Sequence, residues 1–384
     1  MIRHIVYECL PGAYAGGVQK MVFELASAQR RLGADVEIWT PNAWRAGSTE
    51  IFDELPIRYF AANPLLGLAR SFRLREEIAI LPKTVILHAH NTFNPLNLQV
   101  GDAASEHGLK AFYHPHGALD PALFSDWSPK SLKKRVYIRA ASGPNLNKSA
   151  GVFALTPLER NQLISLGITA PIHVVPNGIR PVAVASPEQG LALRRRHGLD
   201  VQDRVILFIG RITPKKRLED IIHALSLLGA SAPHLFIAGS PNAEPDYGEA
   251  LFRTVHGCGC EARVHWLGFL DEAAKAAAYA AADVFVHASE SEGMALAILE
   301  AMSAGLPVVA TRGCYMSEAA ASGALIQCEQ GAAALASAMA PLFADPARAR
   351  AQGLAGQVHA HRVHDWEALA RATMRIYSEA PSRA

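Results

Sequence analysis

A chain of 384 residues exceeds what one ordinary hydrophobic core supports, so two domains are expected. Half the residues are hydrophobic and 19% are charged, as in a well-packed globular protein, and the net charge of +2 gives no bulk argument for nucleic acid, which is not expected as a partner. Five scattered cysteines (9, 258, 260, 314 and 328) argue against a disulfide framework and for a reducing compartment, and Cys258-Gly-Cys260 lacks the second pair of a zinc site. Residues 1–10 carry Arg3 and Glu8 and have no apolar region of signal-peptide type. The longest charge-free apolar stretch, 331–344, is short and interrupted by Pro341, so it does not suit a bilayer span. A cytoplasmic protein is expected, soluble or at most peripheral at the inner face of the plasma membrane.

Short β-branched runs alternate with longer helical patterns, the signature of parallel βαβ architecture. Strands are expected near 2–7, 35–40, 84–89, 111–115, 151–155 and 172–175. A second series is expected near 204–209, 234–238, 262–266, 283–288, 307–310 and 324–327. Residues 176–190 hold three prolines and two glycines without periodicity, which marks a linker. The fold class is therefore α/β: two Rossmann-like, doubly wound domains facing each other across a cleft. Residues 1–178 form the first, 179–190 the linker and 191–363 the second. Ligands of such sheets bind beyond the carboxyl ends of strands, so functional residues should follow strands directly.

The first strand leads into Gly12-Ala-Tyr-Ala-Gly16-Gly17-Val18, a glycine-rich loop that permits close backbone approach to an anion or sugar. It is not G-x-G-x-x-G, and no acidic residue ends the second strand at Trp39-Thr40, so a dinucleotide is not indicated. His88-Ala-His90-Asn91 and His114-Pro-His116-Gly117 each end a strand. Residues two apart share a face, so either pair could hold a metal, although core or capping histidines are commoner. His116, just ahead of Leu119-Asp120-Pro121, is the strongest candidate of the four. Lys130, Lys133, Lys134, Arg135, Arg139 and Lys148 suit a solvated helix face, and also an anionic membrane or a lipid-linked phosphate. Thr156-Pro-Leu-Glu159 reads as a capping box with proline at the first helical position, a purely stabilising device.

In the second half, Phe208-Ile209-Gly210-Arg211 ends a strand and Lys216 follows at a helix entry. Cations placed there stabilise a departing diphosphate more in the transition state than in the ground state. The plainer reading, a basic solvated turn, suits Lys215 and Arg217 better than Arg211. Residues 289–307 say most. A short acidic loop follows the strand ending at Ala288; a helix opens near Ala295 and stops at Gly305, with Pro307 beyond. Glu292 sits on the loop and Glu300 about one and a half turns into the helix. Amide donors near Met294 to Leu296 suit a phosphate, and the two carboxylates suit sugar hydroxyls. Glu292 could merely complement the helix dipole. Glu300, however, lies among Ile298, Leu299, Ala301 and Met302, where an unpaired carboxylate is costly and requires a partner.

Glu292-Gly293 with Glu300, joined by Gly210-Arg211 and Lys216, is similar to the retaining family-4 glycosyltransferases of GT-B fold. The resemblance also takes in Gly16-Gly17, His116-Gly117 with Asp120, Val175-Pro-Asn-Gly178, Val264-His-Trp-Leu-Gly268 and Asp365-Trp-Glu367. It implies that Arg211 and Lys216 bind the donor diphosphate, that Glu300 binds the ribose and that Glu292 contacts the transferred sugar. It places the amides of Gly293, Met294, Ala295 and Leu296 on the phosphates, His116 near the anomeric carbon or 6-position, Leu267 near the base and Gly17 near the phosphate or acceptor. A last helix, 364–384, would complete the first domain. The implied donor is a UDP- or GDP-hexose, the acceptor a glycan or polyprenyl-linked molecule, and the reaction retaining and free of bound metal or cofactor, by a front-face route with a double displacement left open. The absence of an Asp-x-Asp pair agrees with this. Met294-Ala295 replaces the family's usual Phe-Gly and crowds the loop. A sugar-nucleotide 2-epimerase of the same architecture is the alternative; a His-x-His metal hydrolase and a non-catalytic nucleotide binder are more distant ones.

Overall fold

The structure, a computed structural model, describes residues 1–7, 9, 16–42, 44–61, 71–182, 185–229 and 232–381, apart from the side chain of residue 72. The chain divides into two compact units, Met1–Gly178 with Trp366–Ala384, and Ile179–Asp365. Most of the glycine-rich loop, including Gly12, lies outside the described residues.

The first unit holds β1 (Ile2–Ile5), β2 (Val36–Pro41), β3 (Thr49–Phe52), β4 (Leu55–Phe60), β5 (Ile86–His90), β6 (Lys110–His114), β7 (Gly151–Ala154) and β8 (Ile172–Val174). They form one sheet in the order β3-β4-β2-β1-β5-β6-β7-β8, antiparallel only between β3 and β4. Side chains alternate between two covered faces. Leu87 and Ala89 of β5 and Tyr113 of β6 pack with Leu96 and Val100 of the helix Pro95–His107. Phe112 joins Met21 and Val22 of the helix Gly17–Arg31, and Trp366 and Tyr377 of the helix Trp366–Glu379, on the other face. By the two-residue period of a strand, His88, His90 and His114 belong to that second face.

The second unit holds β9 (Val205–Ile209), β10 (His234–Ala238), β11 (Val264–Gly268), β12 (Val284–His287), β13 (Val308–Thr311) and β14 (Ile326–Cys328). All pair in parallel, in the order β11-β10-β9-β12-β13-β14. Both faces are buried: Val205 and Leu207 enter one core and Ile206 and Phe208 the other, which explains the unbroken apolar run of β9. The order reverses direction between β9 and β12, the point where doubly wound sheets open a crevice.

Each strand expected from sequence is present, shifted by two residues at most. The β3–β4 hairpin was not expected. Its turn, Asp53-Glu54, takes positive φ at both residues (48° and 63°) without the usual Asn-Gly or Asp-Gly, and Pro56 interrupts the strand signal. The expected linker 179–190 also differs. Ile179 N donates to His364 O at 2.7 Å, and Ser186 and Gln189 form a capping box that starts the helix Pro187–Arg196, so this segment is part of the second unit. In the first unit, a Cβ on Gly178 would lie 2.3 Å from Trp366 Cδ2, so the indole requires glycine there. No helix among the described residues is long and apolar enough to cross a membrane.

Candidate active site

The reversal point of the second sheet gathers the residues singled out in the sequence. Arg211 follows β9; it is exposed and makes no hydrogen bond or ion pair among the described residues. Lys216 ends a short 3-10 turn, Pro214–Lys216, and donates through Nζ to Glu292 Oε1 on the loop after β12. His287 Nε2 lies 3.4 Å from the same oxygen. Burial by itself would raise the Glu292 carboxyl, but the His287 contact and the Lys216 charge reverse this and hold it well below the usual carboxylate range. Burial lowers the His287 imidazole, so Lys216 is the cation of this pair. The side chains of Lys216 and Glu292 retain only 16% and 12% of their exposure. Glu292 is therefore largely buried although it stands on a loop.

Backbone contacts fix this loop. Glu290 N donates to Lys215 O at 3.0 Å, Glu292 N to Gly313 O at 2.8 Å, and Thr311 Oγ1 and Gln330 Nε2 both donate to Ser289 O at 2.8 Å. A Cβ on Gly313 would stand 2.2 Å from Glu290 O and 2.4 Å from Ser289 O, so only glycine allows the two loops to touch. The loop passes into the helix Leu296–Ser303, whose first residue is preceded by Ala295 without a side-chain cap. No side chain at that cap position covers the amides of its first turn. Leu267 of β11, Met294 and Leu296 border one apolar cluster with Ala295 and Ile298.

Glu300 is buried, but its partners come from the chain itself. Tyr279 OH donates to Oε2 at 2.9 Å and Lys275 Nζ lies 3.4 Å from both oxygens. Burial and the adjoining carboxylate push the Tyr279 phenol well above its ordinary value, so it stays a donor. The expectation that Glu300 needs a partner is met, and burial alone does not demand a ligand. Lys275 and Tyr279 were not singled out; their spacing of four on an otherwise alanine-rich helix, Glu272–Ala281, was the available signal.

In the first unit, Gly17 begins the helix Gly17–Arg31 and is exposed. His116 follows β6 with φ 57°, and Gly117 with φ 74°. The structure brings all four expected histidines together and adds His4, which register places opposite His88 as His90 is opposite His114. His116 Nε2 is 3.0 Å from His90 Nδ1, His90 Nε2 is 2.9 Å from His4 Nδ1, and His4 Nε2 is 2.7 Å from Gln29 Oε1. Tyr377 OH reaches His88 Nδ1 at 2.6 Å. Burial lowers every ring, His4 to about 4, His116 to about 3 and the others well below the usual imidazole range.

Glu159 corrects the reading of the 156–159 motif as a purely local cap. Thr156 Oγ1 does accept from Glu159 N at 3.0 Å. The carboxylate instead accepts from Leu155 N and from Gly117 N, both at 2.7 Å, and so fixes the turn that carries His116. Burial pushes it up to about 7 against the pull of these two amides. The basic segment 130–148 occupies the helix Pro129–Tyr137 and its continuation; Lys130, Lys133, Arg139 and Lys148 are exposed beside exposed Trp127, Leu132 and Val136.

Two doubly wound α/β units in one chain, with cations and a carboxylate at the reversal point of the second sheet, have the build of GT-B glycosyltransferases. Residues 191–358 match the family model for glycosyl transferases group 1, and residues 16–178 that for a glycosyl transferase 4-like domain. The D-inositol 3-phosphate glycosyltransferase of Segniliparus rotundus is 31% identical, aligned over 96% of this chain and 87% of that protein. Its counterpart from Xylanimonas cellulosilytica is 27% identical over 96% and 93%. The structure of Anabaena HepE in complex with UDP-glucose superposes with a TM-score of 0.80 at 21% identity, covering 98% of this chain and 99% of that one. This chain belongs to the group 1 glycosyl transferases.

Proposed function

We propose that the protein is a retaining hexosyltransferase that moves a sugar from a UDP- or GDP-hexose to a glycan or polyprenyl-linked acceptor, without a bound divalent metal. The observation that carries this reading is the Lys216–Glu292 pair at the β9/β12 reversal point, with exposed Arg211 just after β9 making no hydrogen bond or ion pair among the described residues. Arg211 and Lys216 hold the donor diphosphate, with the amides of Gly293 to Leu296 on its phosphates. Glu292 orients hydroxyls of the transferred sugar, Glu300 the ribose, and Leu267 lies against the base. His116 is assigned to the anomeric carbon or the 6-position, and Gly17 to the phosphate or acceptor.

As the bond from sugar C1 to the diphosphate oxygen breaks, the acceptor oxygen bonds C1 on the same face. The acceptor proton passes to the departing phosphate oxygen. Arg211 and Lys216 stabilise the charge that develops there, and do so more strongly in the transition state than before it. The UDP-glucose of the HepE complex supports a uridine donor. The phosphorylated acceptor named for the two relatives supports an anionic acceptor. Exposed Trp127, Leu132 and Val136 among the lysines of 130–148 support docking on an anionic membrane, which would show as salt-sensitive binding to phosphatidylglycerol vesicles.

The test is a melting-temperature panel of UDP-, GDP- and ADP-sugars with chelator present, followed by product analysis with the best donor. One sugar nucleotide should raise the melting temperature, and the product should keep the donor's anomeric configuration. Epimer formation without acceptor, inversion, or loss of turnover on chelation would each overturn the reading it addresses.

A further inference from the structure

The histidine cluster of the first unit has a geometry that sugar transfer does not account for. Nothing in the transfer step needs four further imidazoles gathered beside His116. His114 is 3% exposed, and neither of its ring nitrogens has a hydrogen-bond partner among the described residues. Burying a polar atom without a partner is unfavourable, so two on one ring call for an explanation. One donor atom each from His90, His114 and His116 lie within 4.8 Å of one another.

We propose that His90, His114 and His116 form a binding site for a borderline divalent cation of the zinc class. Three neutral imidazoles are the ligand set such ions prefer, and an open fourth position takes water. Tetrahedral zinc with nitrogen ligands at about 2.0–2.1 Å sets its donor atoms about 3.4 Å apart. His90 Nδ1 and His116 Nε2 stand at 3.0 Å, a few tenths of an ångström short of that separation. The His114 ring stacks on His116 with centroids 3.9 Å apart, so it has to turn to aim a nitrogen at the ion, and that turn would satisfy one of its two unpaired atoms.

The outer shell is also in place. With Gln29 Oε1 accepting from His4 Nε2–H, His4 Nδ1 accepts from His90 Nε2–H. The lone pair of His90 Nδ1 is thereby turned toward His116. A ligating histidine whose other N–H is held by an acceptor is the arrangement that fixes ring and tautomer in metal sites. Without metal, His116 Nε2–H donates to His90 Nδ1. Metal binding moves that hydrogen to His116 Nδ1, with no net gain or loss of protons. His116 is less buried than the other two, so the ion enters from its side.

The site stands independently of the transferase reading, but its consequence rests on it. If His116 serves the transferred sugar, zinc on His116 blocks transfer. The ion is then an inhibitor of a metal-independent enzyme.

The experiment uses full-length, tag-free, chelator-treated protein titrated with zinc chloride by calorimetry, and with cobalt(II) read by visible absorption. Wild type should bind one ion per chain with a tetrahedral cobalt spectrum. His114→Asn should weaken binding at least tenfold, and His4→Phe by about 10–100-fold as an outer-shell change. His265→Asn, in the separate His234–His265 pair at 3.1 Å, should leave binding intact. Circular dichroism checks each fold; if His114→Asn does not fold, His116→Asn replaces it. No zinc binding by wild type, or binding lost only with His265→Asn, overturns the site. In assays with an active donor, zinc should inhibit and chelator restore turnover. Binding without inhibition keeps the site but removes His116 from the sugar, and inactivity with every donor leaves the binding result standing.

Discussion

Replacing Glu292 with alanine should destabilise the protein as well as disable it. The pair it forms with Lys216 retains 12% and 16% side-chain exposure, close to fully buried. Removing one partner of a buried pair costs about 3–5 kcal/mol, because the other charge is left unpaired in a poorly solvated place. The residual exposure lets water reach Lys216, so the lower end, about 3 kcal/mol, applies. For a unit of this size that is a loss of about 6–12 °C in melting temperature. The pH dependence has a definite sign. The carboxyl lies well below the usual range when folded and near its ordinary value of about 4.3 when unfolded. Its contribution is complete above that ordinary value and fades as pH falls through the folded one. The advantage of wild type over Glu292→Ala should therefore be largest at neutral pH and narrow below about pH 4. Scanning calorimetry of Glu292→Ala, Lys216→Ala and the double variant measures this directly. The double variant should melt above the sum of the single losses, by a coupling of at least about 0.5 kcal/mol. Additive losses, or a Glu292→Ala shift under 2 °C, would refute the buried-pair argument.

Arg211→Ala should behave oppositely: melting unchanged, because the side chain is exposed and has no partner among the described residues, and turnover down by about 10²–10³-fold. Wild-type turnover in that variant would remove Arg211 from the diphosphate. Glu159→Gln sets an amide NH2 against one of two backbone N–H groups held at 2.7 Å, and should destabilise the first unit by about 1–3 kcal/mol in urea titration. Gly313→Ala drives a methyl onto the Ser289 and Glu290 carbonyls; it should cost about 1–3 kcal/mol and lower turnover through the displaced Glu292 loop. Unchanged stability in urea titration of either variant contradicts the packing described.

Much of the fold was legible because its signals are local. β9 reads Val-Ile-Leu-Phe-Ile, an apolar run with both faces buried, and the position of Arg211 and Glu292 after strands follows from counting along the chain. The β3–β4 hairpin was hidden because Asp53-Glu54 takes a turn conformation those residues rarely adopt. Partnerships across distant segments were hidden for a different reason. Nothing near Glu300 in sequence announces Tyr279, and nothing near His116 announces Glu159, because register and helix packing decide which side chains meet. His4 escaped notice beside Arg3 in a four-residue buried strand, and the β1–β5 pairing sets it opposite His88.

The helix Trp366–Glu379 has a consequence for biogenesis. It supplies Trp366, Ala370 and Tyr377 to the core beneath the first sheet, and Tyr377 reaches His88. Its residues are made after the whole of Ile179–Asp365, which is contiguous. The N-terminal half must therefore wait, with that apolar face bare, until the second unit and the helix after it have been made. The later-made half can reach its native state first. A nascent chain halted just short of residue 366 should expose the uncovered face to chaperones and proteases, and release of the remaining residues should close it.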